Sequence, residues 1–235
     1  MTDEEKLISD TALVWARANK KSFARALADP QKYPGEAQPV SVFMAGSPGA
    51  GKTEVAKALT ALFRERVLHI DPDDFRSALP GYNGKNSWLF QAAVSVLLGK
   101  VLDLAFEQKQ SFLLDGTLSN MKTSTENVER AVKKGREVLL LYVYQEPLQA
   151  WRFVQAREEA EGRNIPPARF VDQFFGARDV VNELKVKFGP SVQVDVIFKD
   201  IDGKNRRFEA NISDLNHAAP IPYSREDVER IVTSI

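Results

Sequence analysis

The sequence predicts an α/β fold in three layers around a parallel sheet, with helices added at the N-terminus and a β-hairpin plus helix at the C-terminus. Three observations carry that expectation. Short apolar runs at Val40 to Ala45, Val67 to Ile70, Ser111 to Leu114 and Glu137 to Tyr144 alternate with longer stretches of helical periodicity. Strands separated by crossover helices pair in parallel with one handedness. Each run is followed directly by a residue suited to chemistry or turning: Gly46, Asp71, Asp115 and Gln145. In such sheets ligands bind outside the carboxyl ends of the strands, so these four positions are expected along one edge.

The elements follow in order. Thr2 and Glu5 have capping-box spacing, and Leu7, Ile8, Ala12, Val14, Trp15 and Ala18 recur with roughly helical period. A second helical stretch is expected from Ser22 to Leu27, stopped by Asp29-Pro30. A Pro- and Gly-containing linker, Gln31 to Pro39, leads to the first strand. Helices are then expected from Thr53 to about Glu65, Asn86 to about Gln108, Thr123 to Lys134, Leu148 to Glu161 and Phe170 to Lys187. Val192 to Phe198 and Arg206 to Ile212 flank Asp200-Ile201-Asp202-Gly203-Lys204, which predicts a hairpin. Ser224 with Asp227 starts a closing helix. This divides the chain into a helical extension (1–36), a core (37–190) and a hairpin-plus-helix unit (191–235) packed on that core.

The strongest single signal is Gly46-Ser47-Pro48-Gly49-Ala50-Gly51-Lys52-Thr53, which matches the phosphate-binding pattern of Gly, any four residues, then Gly-Lys-Thr. Glycines let the backbone curl so that its N–H groups point at phosphate oxygens, and the following helix adds its positive end. Lys52 reaches the β- and γ-phosphates, and the Thr53 hydroxyl is suited to Mg²⁺. The implied cosubstrate is ATP or GTP.

Ile70-Asp71-Pro72-Asp73-Asp74-Phe75-Arg76 puts three carboxylates after the second strand. Read alone, it is an acidic turn and helix cap. Beside a phosphate loop it supplies what a phosphotransferase needs, a base for the acceptor hydroxyl. Asp73 is the expected base, Asp71 positions acceptor or metal, Asp74 is an exposed cap, and Arg76 holds a charged acceptor. Phe112-Leu113-Leu114-Asp115-Gly116-Thr117 has the form of a Walker B strand, so Asp115 is the second expected Mg²⁺ ligand with Thr53. Thr117, Ser119 and Asn120 are candidates to line the acceptor pocket, with Thr117 and Asn120 assigned to substrate binding.

Arg157 and Arg163 lie on either side of Gly162, ahead of Ile165-Pro166. Read alone, the stretch is a charged helix in which Arg157 pairs with Glu161 across a turn. In a small kinase, arginines on a lid neutralise the transferring phosphoryl group and help exclude water. Arg152 and Arg169 are weaker candidates, and His69 and His217 are read as isolated.

Composition excludes several classes. Lys plus Arg and Asp plus Glu each number 32, so the net charge is zero, which disfavours a nucleic-acid partner. The chain has 0 cysteines, which rules out disulfides and thiolate metal sites. The polar, acidic N-terminus is unlike a signal peptide, and no apolar stretch of ~20 residues is evident, so no membrane association is expected. Cytoplasmic location is expected.

The phosphate loop, the Asp71 to Arg76 segment, Leu114-Asp115-Gly116-Thr117, and Arg157 with Arg163 before Ile165-Pro166 together resemble the zeta toxins over residues 38 to 190. The phosphate loop is shared by many families; the acidic segment with Asp-Gly-Thr downstream is far more specific. The resemblance implies a kinase that phosphorylates UDP-N-acetylglucosamine, a nucleotide sugar, and a toxin held silent by a partner antitoxin. It also implies that Lys52 binds phosphate, Asp73 is the base, and Arg157 and Arg163 stabilise the transition state. The sequence departs from the family pattern in two places. Ser95-Val96-Leu97-Leu98-Gly99-Lys100-Val101 carries no carboxylate where well-studied members have a sugar-contacting glutamate. Leu118-Ser119-Asn120 lacks the arginine of some relatives. Two rivals remain at this level: a kinase of another small metabolite or antibiotic, and a non-catalytic ATP-binding regulator.

Overall fold

The computed structural model describes residues 1–63, 66–162, 165–199, 207–220 and 222–234. Its core is a six-stranded sheet in the order β2-β3-β1-β4-β5-β6. The strands are β1 (Val40–Ala45), β2 (Leu68–Ile70), β3 (Phe112–Leu114), β4 (Glu137–Tyr144), β5 (Gln193–Phe198) and β6 (Arg207–Glu209). The first five pair in parallel. Only β6 runs antiparallel, against β5. The expected hairpin arms are therefore present, shorter on the second side, and the turn expected at 200–204 lies outside the described residues.

Strand pleating sorts side chains to two faces. Phe43 and Ala45 of β1 join Leu68, Ile70, Phe112, Leu114, Leu140 and Tyr142 in the main apolar core. That face is covered by α1 (Asp3–Leu27), α3 (Gln91–Glu107), α4 (Met121–Lys133) and α6 (Pro167–Phe188). Met44, Leu113, Leu141 and Val143 point the other way and meet Val55 and Ala56 of α2 (Lys52–Leu62). The expected three-layer arrangement is the one the structure shows. A further apolar cluster joins Trp151 and Val154 of α5 (Pro147–Glu161), Phe170 and Phe174 of α6, and Val228 and Val232 of α8 (Arg225–Thr233). A single helical turn, α7 (Leu215–Ala218), precedes α8.

The N-terminal segment differs from expectation. It is one helix, where the sequence suggests two. The capping box forms, with the Thr2 N–H donating to Glu5 Oε2 at 2.7 Å and the Glu5 N–H to Thr2 Oγ1 at 3.2 Å. Asn19-Lys20-Lys21 interrupts the apolar pattern but holds no Gly or Pro, so nothing in it stops helix propagation. Ala12, Ala16, Ala24 and Ala28 are fully buried, and α1 packs closely along α3. Small side chains at this seam allow that close approach. Phe23 meets Phe75 edge-on with centroids 5.0 Å apart, and Ser9 Oγ donates to Leu89 O at 2.8 Å, so α1 also braces the loop after β2.

A second correction concerns apolarity. Ser87–Glu107, comprising α3 and the 3-10 turn before it, is a 21-residue helical stretch long and apolar enough to cross a membrane, contrary to the sequence expectation. Half of it is buried inside the fold, beneath α1. At the amino end of the sheet, Arg136 donates to Ser41 Oγ at 2.6 Å, Val40 O at 3.1 Å and Gln110 O at 2.5 Å. Burial lowers its pKa to about 10, so the guanidinium stays charged at neutral pH.

Removing the residues before Gln38 should expose the apolar face of α3 and leave an insoluble or unfolded chain; a soluble, monodisperse truncation with native circular dichroism would refute this. Ala16→Leu should overpack the α1–α3 seam and lower stability by about 1–3 kcal/mol in denaturant unfolding.

Candidate active site

The phosphate loop leaves β1 and turns into α2. At Gly46 φ is 136°, and an added Cβ would lie 2.3 Å from Val143 O. At Gly49 φ is 72°, and a Cβ would lie 2.0 Å from Ala150 O. The loop is thus wedged against backbone from the end of β4 and the start of α5, where only glycine fits. No side chain caps α2, so its first N–H groups stay available to an anion. Lys52 Nζ donates to Gly46 O at 3.0 Å and Ser47 O at 2.7 Å, which holds it over its own loop. Ser47 and Ala50 are buried, while Thr53, the second residue of α2, is half-buried. Pro48 lies in the turn between them.

The neighbouring loops are tied to this one. The Gly46 N–H donates to Thr117 O at 3.2 Å, and the Asp115 N–H to Ile70 O at 2.8 Å. The β1, β2 and β3 ends therefore converge, as the run-end residues predict. Asp115 is 5% exposed, and its Oδ2 is buried without a hydrogen-bond partner. A buried carboxylate oxygen without a donor is the hard-oxygen chemistry Mg²⁺ prefers, and the Thr53 hydroxyl on α2 is a ligand of the same kind. Among the described residues no group of three or more His, Cys, Asp or Glu could hold a metal by themselves. Mg²⁺ commonly takes one or two protein ligands and completes its shell with water and phosphate.

After β2, the Asp73 N–H donates to Asp71 Oδ1 at 2.9 Å. Burial, then the nearby Asp73 carboxylate, raises the Asp71 pKa from the ordinary 3.8 to about 6. Arg76 is buried and its guanidinium grips the Asp73 carboxylate. The side chain assigned to the acceptor is therefore also the partner of the expected base. Asp74 is exposed and opens a 3-10 turn, Asp74–Ala78.

Thr117 Oγ1 and Ser119 Oγ lie 2.8 Å apart in the loop after β3. Asn120 caps α4, its Oδ1 accepting from the Thr123 N–H at 3.0 Å. Gly176 of α6 approaches closely enough that a Cβ would lie 3.3 Å from Ser119 O, so α6 lies against this loop. Arg157 is exposed on α5, and Gly162 ends that helix with φ 71°. Arg163 lies outside the described residues. Gln145 follows β4 but accepts from the Glu146 N–H, a local turn contact.

Two residues near the site escape the sequence reading. His69 Nε2 lies 3.7 Å from Asp115 Oδ2 and is buried without a hydrogen-bond partner. Its signal is positional: it sits one residue before the end of β2, in register with Leu113 beside Asp115. Lys199, just past β5, lies against Gly51.

The Asp71 shift has a sign. A carboxyl whose folded value lies above its unfolded value binds more protons when folded, so stability is lost as pH rises from about 4 to about 6. Asp71→Asn keeps the Oδ1 acceptor and removes the buried charge. Its denaturant midpoint should exceed that of the wild type at pH 7, and the difference should shrink towards pH 4; an equal difference at both values would refute the assignment.

Comparison with known proteins follows the same lines. The curated toxin PezT of Streptococcus pneumoniae is 28% identical over 121 residues, 47% of this chain and 46% of that protein. The alignment thus spans about half the length of this relative. The structure of the PezAT chromosomal toxin–antitoxin system of that organism superposes with a TM-score of 0.61 at 17% identity, covering 100% of this chain and 90% of the other. The sulphate-bound AvrRxo1-ORF1:AvrRxo1-ORF2 complex superposes with a TM-score of 0.62 at 18% identity, covering 92% and 73%. At these identities the superpositions establish a shared fold. The sequence pattern of the zeta toxin family matches residues 24–213, which take in the phosphate loop, the acidic turn and the Asp-Gly-Thr loop, and the chain belongs to that family.

Proposed function

We propose that this chain is an ATP-dependent kinase that transfers the γ-phosphoryl group to a hydroxyl of a nucleotide sugar, UDP-N-acetylglucosamine, and acts as the toxin of a toxin–antitoxin pair in the cytoplasm. The observation that carries the kinase reading is the convergence, at one sheet edge, of an uncapped phosphate-loop helix, a buried carboxylate with an unused oxygen, and a guanidinium-held carboxylate. A binding-only site needs the first of these, whereas transfer to a hydroxyl uses all three. Family membership supports the toxin role, as does the toxin–antitoxin setting of PezAT. ATP as donor is supported by the AvrRxo1-ORF1:-ORF2 complex with ATP, which superposes with a TM-score of 0.60 at 19% identity, covering 88% of this chain and 67% of the other.

The chain's residues divide the work. Backbone N–H groups of Gly46 to Thr53 and the Lys52 ammonium hold the phosphate chain and offset the charge that builds on it. Thr53 and Asp115 would hold Mg²⁺, which neutralises phosphate charge and orients the transferring group. Asp73, fixed by Arg76 and by its own N–H to Asp71, accepts the proton of the acceptor hydroxyl. The acceptor oxygen forms the new P–O bond, the bond from the γ-phosphorus to the β–γ bridging oxygen breaks, and ADP leaves with that electron pair. Arg157, on α5, is assigned to the charge on the transferring group, and the family pattern assigns Arg163 the same role. Thr117 and Asn120 contact the acceptor.

Asp73→Ala should keep ATP affinity and lower turnover about 10²–10⁴-fold. The assay is ADP release with UDP-N-acetylglucosamine as acceptor, followed by growth arrest on expression. Turnover at the wild-type level removes Asp73 from the mechanism. ATP binding without phosphorylation of the sugar nucleotide breaks the acceptor assignment and leaves the donor site standing.

A further inference from the structure

The phosphate loop has a second lysine, supplied from the other side of the sheet. Pairing of β5 with β4 continues one residue past the strand, where the Lys199 N–H donates to Tyr144 O at 2.9 Å. This directs the side chain to Gly51. A Cβ built on Gly51 would lie 2.1 Å from Lys199 Nζ and 3.0 Å from its Cδ and Cε. The Lys199 side chain is 15% exposed. Its carboxylate neighbour, Glu54 Oε2, is 3.9 Å away on a side chain that is 70% exposed.

That placement is electrostatically unfavourable for a protein meant to bind nothing there. Aligned peptide dipoles make the N-terminus of α2 positive, which repels a cation. A long contact to a solvated carboxylate offsets little of that. An anion between the ammonium and the uncapped N–H groups satisfies both at once.

Strand order identifies which part of the ligand this is. Asp71, Asp73 and Asp115 follow β2 and β3, on one side of β1, whereas Lys199 follows β5, on the other side beyond β4. A phosphate chain lying along the loop with its γ end towards the carboxylates has its nucleoside end towards β5. We propose that Lys199 is a ligand of the donor nucleotide, pairing with its α-phosphate while Lys52 serves the β–γ end. This deepens the kinase reading above and rests on it. Lys199 then holds ATP and ADP alike and does not touch the acceptor.

The test is calorimetric titration of the full chain with ATP and ADP in the presence of Mg²⁺, with the melting temperature of each nucleotide-free variant recorded. Lys199→Ala should weaken both nucleotides about tenfold. Lys199→Arg should restore most of that affinity, and the KM for the acceptor should not move. Lys199→Gln replaces the alanine variant if the latter melts below the wild type. Glu54→Gln should leave ADP affinity unchanged or raise it. If Glu54→Gln instead reproduces the alanine loss, Lys199 serves only its ion pair and the proposal is overturned. Loss of binding in Lys52→Ala with no change in Lys199→Ala overturns the Lys199 assignment alone. A wild-type chain that binds neither nucleotide removes the donor reading and this proposal with it.

Discussion

The contact between the phosphate loop and the backbone of its neighbours is the constraint on which the rest of the site depends. Val143 O and Ala150 O occupy the space that a side chain at 46 or 49 would need. Because the loop fits there, α2 begins with its N–H groups bare and Lys52 lies across the loop. Because the Gly46 N–H reaches Thr117 O, the loop after β3 is held at the same edge. The central position of β1, between β3 and β4, borders its carboxyl end with the segments that follow both strands.

The site gathers charge that the fold does not fully neutralise. Asp71 is pushed towards its neutral form, Asp115 has an oxygen with no donor, and Lys199 sits at the positive end of a helix. Each is a local cost, and each falls where a ligand charge of opposite sign would relieve it. Arg76 and Asp73 are the exception. Their side chains pair with each other, although Arg76 Nε is also left buried without a partner. The apolar burial that holds the fold lies elsewhere, in the main core between the sheet and α1, α3, α4 and α6 and in the cluster joining α5, α6 and α8.

Much of this was legible in the sequence because it rests on local rules. Both capping boxes form, β4 spans the expected residues, and the ends of β1, β2 and β3 meet at one edge of the sheet. Local rules fail where tertiary packing decides. The polar interruption at Asn19-Lys20-Lys21 reads as a break, yet a helix continues through it because alanines on both sides bury against α3. The apolar character of Ser87–Glu107 is diluted by scattered polar residues and shows in the average over the whole helical stretch, whose bounds the structure supplies. Arg76 reads as a free cation until the 3-10 turn brings it back to Asp73. Lys199 carries no motif, because its meaning comes from strand order, which spacing along the chain does not encode.

The order of synthesis is a consequence of the same wedge. A chain emerging from the ribosome presents Gly46 to Thr53 early, but the backbone that walls the loop belongs to β4 and α5, and Lys199 follows later still. Parallel pairing of β1 with β3 and β4 likewise awaits those strands. The nascent polypeptide therefore carries the phosphate-binding sequence well before it carries a nucleotide site. The wall around the loop is complete only once translation has passed α5, and the parallel sheet only once it has passed β5.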